Sequence, residues 1–96
     1  MKVRLTSAAE AELTAALEWY AAQTPRAASR FLDDFETLIR RLRENPRQFP
    51  AVMGEARRAG FRRFPYGLFF RIGAEGVEVF ACFHARRDPR QWQRRA

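Results

Sequence analysis

The sequence is poor in cysteine, lysine and histidine, with a single residue of each: Cys82, Lys2 and His84. One cysteine excludes an internal disulfide and a cysteine-based metal cluster. One histidine, without a second ligand at a suitable spacing, gives no metal-binding pattern. The chain also has no apolar run of membrane-spanning length and no apolar segment at its N-terminus. We therefore expect a soluble cytoplasmic protein with no metal, no cofactor and no membrane partner.

The length and the apolar content together indicate one folded domain. The 96 residues leave room for one domain, residues 1–96, and not for two. Hydrophobic residues make up 47% of the chain, and its aromatic residues include nine phenylalanines. Such a chain has enough apolar surface to bury a core, so disorder is not expected.

The net charge is strongly positive, at +7, from 18 basic and 11 acidic residues. All the basic residues except Lys2 are arginine, whose planar fork matches phosphate and carboxylate groups. Two explanations stay open for the preference for arginine over lysine, namely function and the codon usage of a GC-rich genome. The charge itself predicts an anionic partner, either a nucleic acid or an acidic protein.

The first half of the chain has the pattern of a short strand followed by two helices. Apolar and polar side chains alternate over residues 2–5, which predicts a strand. Ser7 and Glu10 have the spacing of a capping box, so the first helix is expected to begin at Ser7 and to end before Thr24. Thr24 then caps a second helix, which the Asn-Pro pair at residues 45–46 stops. The short turn between the helices predicts an antiparallel hairpin.

The second half changes to a period of two after an irregular loop at residues 45–56. Strands are expected at residues 57–64, 67–72 and 77–84, with a hairpin loop at residues 73–76. Short links between consecutive strands predict an antiparallel meander. The expected order is β-α-α-β-β-β, an α+β fold in which the helical hairpin packs on one face of an antiparallel sheet.

The alternation assigns the strand side chains to two faces of this sheet. Against the helices we expect the apolar set Leu68, Phe70, Ile72, Val77, Val79, Ala81 and Phe83. On the uncovered face we expect the mixed set Phe69, Arg71, Phe80, Cys82 and His84. A face rich in aromatic and basic side chains is typical of a surface that binds a ligand or a partner chain.

Many of the arginines lie on the last three predicted strands or just beyond them: Arg57, Arg58, Arg62, Arg63, Arg71, Arg86, Arg87 and Arg90. Converging arginines would position a phosphodiester and stabilise the charge of its transition state. In such a metal-free nuclease the catalytic candidates are Arg71, Arg86 and His84, with the histidine as general acid or base. The alternative is that the arginines are strand-edge charges that keep the sheet soluble, and that His84 merely ends a strand.

The stretch FHARRDPRQW, residues 83–92, closes the predicted sheet. Its Asp-Pro pair ends the strand and starts a turn. We expect Trp92 to fold back as an apolar lid, and Arg86 or Arg87 to pair with Asp88.

Four motifs in this order resemble the ParE/RelE superfamily of type II toxin–antitoxin toxins, in its ParE-like "plasmid stabilization" branch. They are SAAEAEL at residues 7–13, the Trp-Tyr pair with the following Pro and Ala-Ala at residues 19–28, RRFPY at residues 62–66, and the His-x-Arg-Arg-x-Pro-x-x-Trp pattern at residues 84–92. The resemblance covers nearly the whole chain. It includes the same β-α-α-β-β-β order that the periodicity predicts.

The resemblance implies a small bacterial toxin held inactive by a cognate acidic antitoxin in a hetero-oligomer. ParE members poison DNA gyrase, whereas RelE members cleave mRNA on the ribosome. Arg71 and Arg86 match the arginine places of the RelE site. That site's lysines are absent, and Trp92 stands near its tyrosine place. We therefore expect a ParE-like toxin that binds a target such as DNA gyrase, with a ribosome-dependent mRNA endoribonuclease of RelE type as the alternative and a non-toxic RNA- or protein-binding module as a third reading.

The antitoxin of such a pair is expected to wrap the meander and the helical hairpin, folding as it binds. Its contacts on this chain are assigned to basic and aromatic side chains: Arg62, Arg63, Phe69, Phe80, Arg87 and Trp92.

Overall fold

The computed structural model describes all of residues 1–96 and has helices and strands in one α+β arrangement. Its strands are β1 (Val3–Leu5), β2 (Ala51–Met53), β3 (Ala56–Gly60), β4 (Tyr66–Gly73) and β5 (Gly76–His84). Its helices are α1 (Ser7–Gln23), α2 (Pro25–Glu44) and α3 (Pro89–Gln93), with a 3-10 turn at Pro46–Gln48. None of these helices is both long and apolar enough to pass through a lipid bilayer.

The sheet has the order β1-β5-β4-β3-β2, and the meander formed by β3, β4 and β5 confirms the expected antiparallel core. The expected antiparallel pairing does not extend to the whole sheet, because β1 runs parallel to β5. The amide N–H of Val77 donates to Lys2 O at 2.8 Å, and the N–H of Thr6 donates to Val79 O at 2.9 Å. Alternation within a three-residue strand specifies neither its partner nor its direction, so the sequence did not reveal this crossover.

The helix ends follow local capping chemistry. Thr6, and not Ser7, is the N-cap of α1, because the Thr6 hydroxyl accepts the N–H of Ala9 at 3.2 Å. The predicted start of α2 is confirmed, since the Thr24 hydroxyl accepts the N–H of Ala27 at 2.9 Å and Pro25 is the first helical residue. The two helices pack against each other as a hairpin, and α1 packs on β5. We call the side of the sheet that they cover the hairpin face.

A large apolar cluster fills the space between the helices and the hairpin face. Its helical members are Ala9, Ala16, Phe31, Leu38 and Leu42, and its strand members are Ala59, Leu68, Phe70, Val77, Val79 and Cys82. Asp34 is the buried charged residue in this region, with 6% of its surface exposed. Its Oδ2 atom accepts the N–H of Arg63 at 2.7 Å, so the carboxylate ties α2 to the segment between β3 and β4.

A β-bulge in β5 reverses the faces that alternation predicts for the end of that strand. Phe70 pairs with Val79 but Phe69 pairs with Ala81, which leaves Phe80 as an extra residue. Every side chain beyond the bulge is therefore displaced by one position relative to a regular strand. The expected faces were right up to residue 80 and wrong beyond it.

The residues that change face are Ala81, Cys82, Phe83 and His84. Ala81 and Phe83 lie on the side away from the helices, which we call the outer face, whereas Cys82 belongs to the hairpin-face cluster. His84 pairs with Tyr66 across the ladder and shares the hairpin face with it.

The outer face is covered, contrary to the expectation of an open aromatic surface. A second buried cluster contains Ala56, Phe69, Phe80, Ala81, Phe83 and Trp92. The ring of Trp92, carried by α3, stacks on Phe69 with a centroid distance of 4.4 Å and an interplanar angle of 19°. The prediction that Trp92 folds back as a lid is therefore confirmed, and the sheet carries a core on each side.

The cap of α2 gives a direct test of this local account. Replacing Thr24 with Ala removes the acceptor for the Ala27 N–H, and we expect the free energy of unfolding to fall by about 1 kcal/mol. Ser29→Ala, at an exposed interior position of the same helix, is the matched control and should leave stability unchanged or slightly raised. Urea denaturation followed by circular dichroism measures both. Equal stability losses in the two variants would contradict the capping role.

Candidate functional site

Arg71 lies on the outer face near the β4–β5 turn, where its charge is already engaged. Its guanidinium donates to Glu78 Oε1 at 3.1 Å and to the carbonyl oxygens of Arg95 and Ala96 at 3.1 and 3.0 Å. The same group lies over the ring of Phe80, 4.8 Å from the centroid. Arg71 therefore holds the C-terminal residues on the sheet.

His84 and Arg86 lie at the opposite end of the β4–β5 ladder from Arg71. The Nδ1 atom of His84 accepts the backbone N–H of Arg86 at 3.0 Å, and the imidazole packs edge-on against Tyr66 at 5.2 Å. Arg71 pairs with Glu78, whereas Tyr66 pairs with His84. From Tyr66 to Arg71 the strand advances about 17 Å at roughly 3.4 Å per residue. The structure does not bring the three nuclease candidates together.

The other arginines of the meander point in different directions rather than to one concave surface. Arg57 donates to the carbonyl of Phe49 at 2.7 Å, next to the 3-10 turn. Arg63 faces Asp34, with 3.7 Å between Nε and Oδ1. Arg62 is exposed beside it. The expected convergence on one phosphodiester is therefore absent for these three.

The turn after β5 is stabilised by Asp88 in a way the sequence did not reveal. Asp88 pairs with Arg90, with 2.8 Å between Nη2 and Oδ2, and not with Arg86 or Arg87. The hydrogen bonds from Arg90 lower the pKa of the Asp88 carboxyl. Arg87 instead lies over the ring of Phe83, 4.7 Å from its centroid. The Asp88 carboxylate caps α3 and pairs with Arg90. Arg87 therefore has no carboxylate partner in this turn.

The aromatic residues assigned to partner binding are not on the surface. Phe69, Phe80 and Trp92 keep only 5%, 2% and 8% of their surface exposed. Their burial follows from the lid formed by α3. Phe69 lies beneath Arg58 and Phe80 beneath Arg71. Of the residues assigned to partner binding on this face, Arg87 is the one that is exposed.

Two grooves flank the end of β5. The outer groove, on the face away from the helices, has a volume of about 370 Å³ and is lined by Val52, Arg58, Phe69, Phe83, His84, Ala85, Arg87, Pro89 and Trp92. The helix groove, between α1 and the end of the sheet, has a volume of about 500 Å³ and is lined by Ala11, Glu12, Ala15, Ala16, Trp19, Tyr20, Tyr66, Cys82, His84 and Arg87.

The helix groove is mostly apolar. Trp19 at its edge is 59% exposed, an unusual exposure for so large an apolar side chain. Burial raises the pKa values of Tyr20 and Tyr66, whose rings pack at 6.1 Å. Both hydroxyls are thus neutral at physiological pH, and the groove offers aromatic and hydrogen-bonding surface rather than a base.

Glu12 links α1 to the bulged strand and to the C-terminus, a role that sequence reasoning missed. Its Oε1 atom accepts the N–H of Cys82 at 3.1 Å, and its two oxygens accept Arg95 at 3.0 and 2.8 Å. Arg95 also donates to Phe80 O at 3.0 Å and lies over Phe83. Nothing in the sequence pattern marks Glu12 as a partner of β5, and the contacts with Cys82 and Arg95 give it this function.

No three of the histidine, cysteine and carboxylate side chains come close enough together to ligate a metal ion. The hydrogen bonds and stacked rings described above account for the placement of the charged groups.

The family model for the ParE toxin of the parDE type II toxin–antitoxin system matches residues 3–89. The chain belongs to the ParE toxin family. The expected resemblance is thereby confirmed at the level of this family, and the chain carries the toxin domain of a type II toxin–antitoxin system.

A solved structure agrees with this family assignment in fold. The structure described as "Chromosomal ParDE TA system from P. aeruginosa" superposes on this ParE-family chain with a TM-score of 0.75. The two share 20% sequence identity over 88% of this chain and 95% of the other. At this identity the likeness supports the fold alone. None of the curated proteins matches the chain.

Cys82 lines the helix groove of this ParE-family chain, and its thiol is buried. We expect this thiol to be unreactive. Burial, and next the nearby Glu12 charge, raise the pKa of Cys82 to about 12. We expect its alkylation by iodoacetamide at neutral pH to be at least about a hundredfold slower in the folded chain than in urea. Mass spectrometry follows the modification, with Cys82→Ala as the unreactive control. Equal rates in the folded and unfolded chain would contradict the account.

The same shift has a consequence for stability. The folded pKa is above the ordinary value of 9.0, so the folded chain retains a proton that the unfolded chain loses. The contribution of this thiol is therefore fully present below pH 9.0 and is lost as the pH rises toward 12. Cys82→Ala should remove this part of the alkaline destabilisation.

Proposed function

We propose that this chain arrests bacterial growth as a ParE-type toxin that acts by binding DNA gyrase and is neutralised by a cognate antitoxin. The family match over residues 3–89 is the observation that carries the proposal. The proposal treats residues 1–96 as a single toxin domain that acts in the cytoplasm, where its target lies.

The placement of the basic residues supports binding over RNA cleavage. Arg71 is engaged by Glu78 and by the C-terminal carbonyls, far along the ladder from His84 and Arg86. A nuclease that used all three groups would need them around one phosphate. This separation does not favour the nuclease alternative.

An acidic antitoxin is the partner that the charge of the chain supports. The net charge is +7, and Arg62, Arg63 and Arg87 all lie at exposed positions. An acidic segment would gain opposite charge over these residues and apolar contact at the grooves beside β5. We propose that it forms a toxin–antitoxin hetero-oligomer in which the toxin is held inactive.

Growth and supercoiling assays test the proposal in two steps. Induced expression of the chain should stop growth, and co-expression of the short open reading frame beside its gene should restore it. A gene lacking the start codon is the control for the burden of induction. Purified chain should then inhibit DNA supercoiling by gyrase in a dose-dependent way. Supercoiling that is untouched at high toxin concentration would refute the gyrase target.

Mapping of mRNA 5′ ends after induction separates the two toxin classes. A gyrase poison should produce no new ends within codons on translated messages. New cleavage sites that depend on Arg86 and His84 would establish the nuclease alternative in place of our proposal. Harmless accumulation of soluble, folded chain would overturn both toxin readings.

A further inference from the structure

Two arginines in the outer groove have no acidic partner although their positions are fixed by packing. Arg58 lies over the ring of Phe69, 5.9 Å from the centroid, and Arg87 lies over Phe83 at 4.7 Å. Neither guanidinium forms an ion pair or a side-chain hydrogen bond within the chain, whereas Arg4, Arg63, Arg71, Arg90 and Arg95 each have a carboxylate partner. Both line the outer groove.

The guanidinium of Arg58 packs against the backbone of two glycines, in the space that their side chains would fill. Gly60 and Gly67 face each other across β3 and β4. A methyl group on Gly67 would lie 2.6 Å from the Nε atom of Arg58, and one on Gly60 would lie 3.0 Å from its Nη1 atom. Any other residue at Gly67 would push the guanidinium away. Glycine weakens a strand interior. Gly60 and Gly67 therefore lower strand stability, but they leave room for the guanidinium of Arg58.

We propose that the outer groove is a carboxylate-docking site, in which an acidic peptide segment of a protein partner sets a carboxylate against Arg58 and Arg87. This inference rests on the proposed function, because it names the site and the chemistry through which the antitoxin would hold the toxin. Guanidinium groups fixed in advance lose little freedom on binding a carboxylate, and they form charge-assisted hydrogen bonds with it.

The surroundings of the two arginines favour a peptide over a nucleic acid. Single-stranded nucleic acids bind through exposed aromatic faces on which bases stack. Here the rings are buried, because Trp92 and Phe69 stack on each other and Arg87 covers Phe83. The groove offers no open ring to a base.

The rim of the groove matches apolar residues on either side of an acidic one. Val52 on β2 is 41% exposed. Pro89, at the start of α3, is also exposed, and both residues line the groove. A segment that alternates acidic and apolar side chains would therefore fill the groove and neutralise its charge together.

The two tryptophans supply the test, because only one of them lines the outer groove. Trp92 lies in it, whereas Trp19 lies in the helix groove, so their indole N–H signals in a nitrogen–proton NMR spectrum report on the two sites separately. The probes are a short acetylated peptide of glutamate, leucine and glycine, its glutamine counterpart, and an oligouridylate of equal charge. We expect the glutamate peptide to shift the Trp92 signal and to leave Trp19 unmoved. The glutamine peptide should shift neither signal.

Matched variants connect the shift to Arg58. Gly67→Ala keeps every charge but displaces the guanidinium, so it should weaken peptide binding about tenfold or more. Gly73→Ala, on the same strand, places its methyl group 3.9 Å from the nearest atom outside its chain neighbours and should bind normally. Arg58→Met should weaken binding as Gly67→Ala does. Arg40→Met removes the same charge from the exposed surface of α2 and should have little effect.

Several results would overturn the site. Among them are a Trp92 shift with the oligouridylate but not with the glutamate peptide, and a shift of Trp19 instead of Trp92. Equal weakening by Gly67→Ala and Gly73→Ala would also remove the role of Arg58, as would an unchanged affinity of Arg58→Met. A Gly67→Ala variant that fails to fold leaves the comparison of Arg58→Met with Arg40→Met to decide.

This test is independent of toxicity. A chain that binds the glutamate peptide at Trp92 but neither stops growth nor inhibits gyrase would refute the proposed function alone. A chain that stops growth and inhibits gyrase, with a Trp92 signal that the peptide leaves unmoved, would refute the docking site alone.

Discussion

The extra residue in β5, Phe80, determines which side of the sheet each later side chain occupies. Without it, Phe83 would point at the helices and Cys82 at the C-terminal lid. With it, Cys82 joins the core under α1 and Phe83 joins the cluster under Trp92. The pairing of β1 with β5 ends at Val79, so β1 does not reach the bulged part of the strand. Glu12 and Arg95 satisfy two backbone groups there, the N–H of Cys82 and the carbonyl of Phe80. Unpaired groups at this depth would be costly.

The same constraint shapes the surface through which the chain meets other molecules. The aromatic rings of the outer face are buried, and arginines lie over them. The surface of this face is therefore basic rather than aromatic. Four arginines lie over these rings, namely Arg58, Arg71, Arg87 and Arg95. Arg71 and Arg95 also anchor the C-terminal residues through hydrogen bonds. The arginines thus have at least two structural roles, which are holding the last residues on the sheet and presenting positive charge in the outer groove. Stacking on aromatic rings suits arginine better than lysine.

Much of the fold could be predicted from the sequence, because its signals are local. The threonine that caps α2, the proline that begins this helix and the period of two in β4 each depend on neighbours in the chain. Other features gave no such signal. The three residues of β1 do not specify a parallel partner, and β2 and α3, with three and five residues, are too short to show a period. The bulge at Phe80 could not be anticipated either, because a run of apolar residues from Val79 to Phe83 fits both registers equally well.

The candidate site was harder to predict, because its important features are pairings between distant positions. Arg71, Arg86 and His84 were grouped by residue type, and the ladder register separates them. Arg58 was one arginine among many until the glycines opposite each other on β3 and β4 set it apart. Glu12 gave no signal at all, since its partners lie some 70 and 83 positions further along the chain.

The face reversal in β5 can be measured directly by nuclear Overhauser contacts in the folded chain. We expect contacts from the Cys82 β-protons to the methyl group of Ala16 on α1, and from the Phe83 ring to the outer-face cluster around Phe69 and Trp92. Contacts from Cys82 to Trp92, together with contacts from Phe83 to α1, would mean that β5 continues without a bulge. That result would contradict the placement of both cores and of the two grooves beside β5.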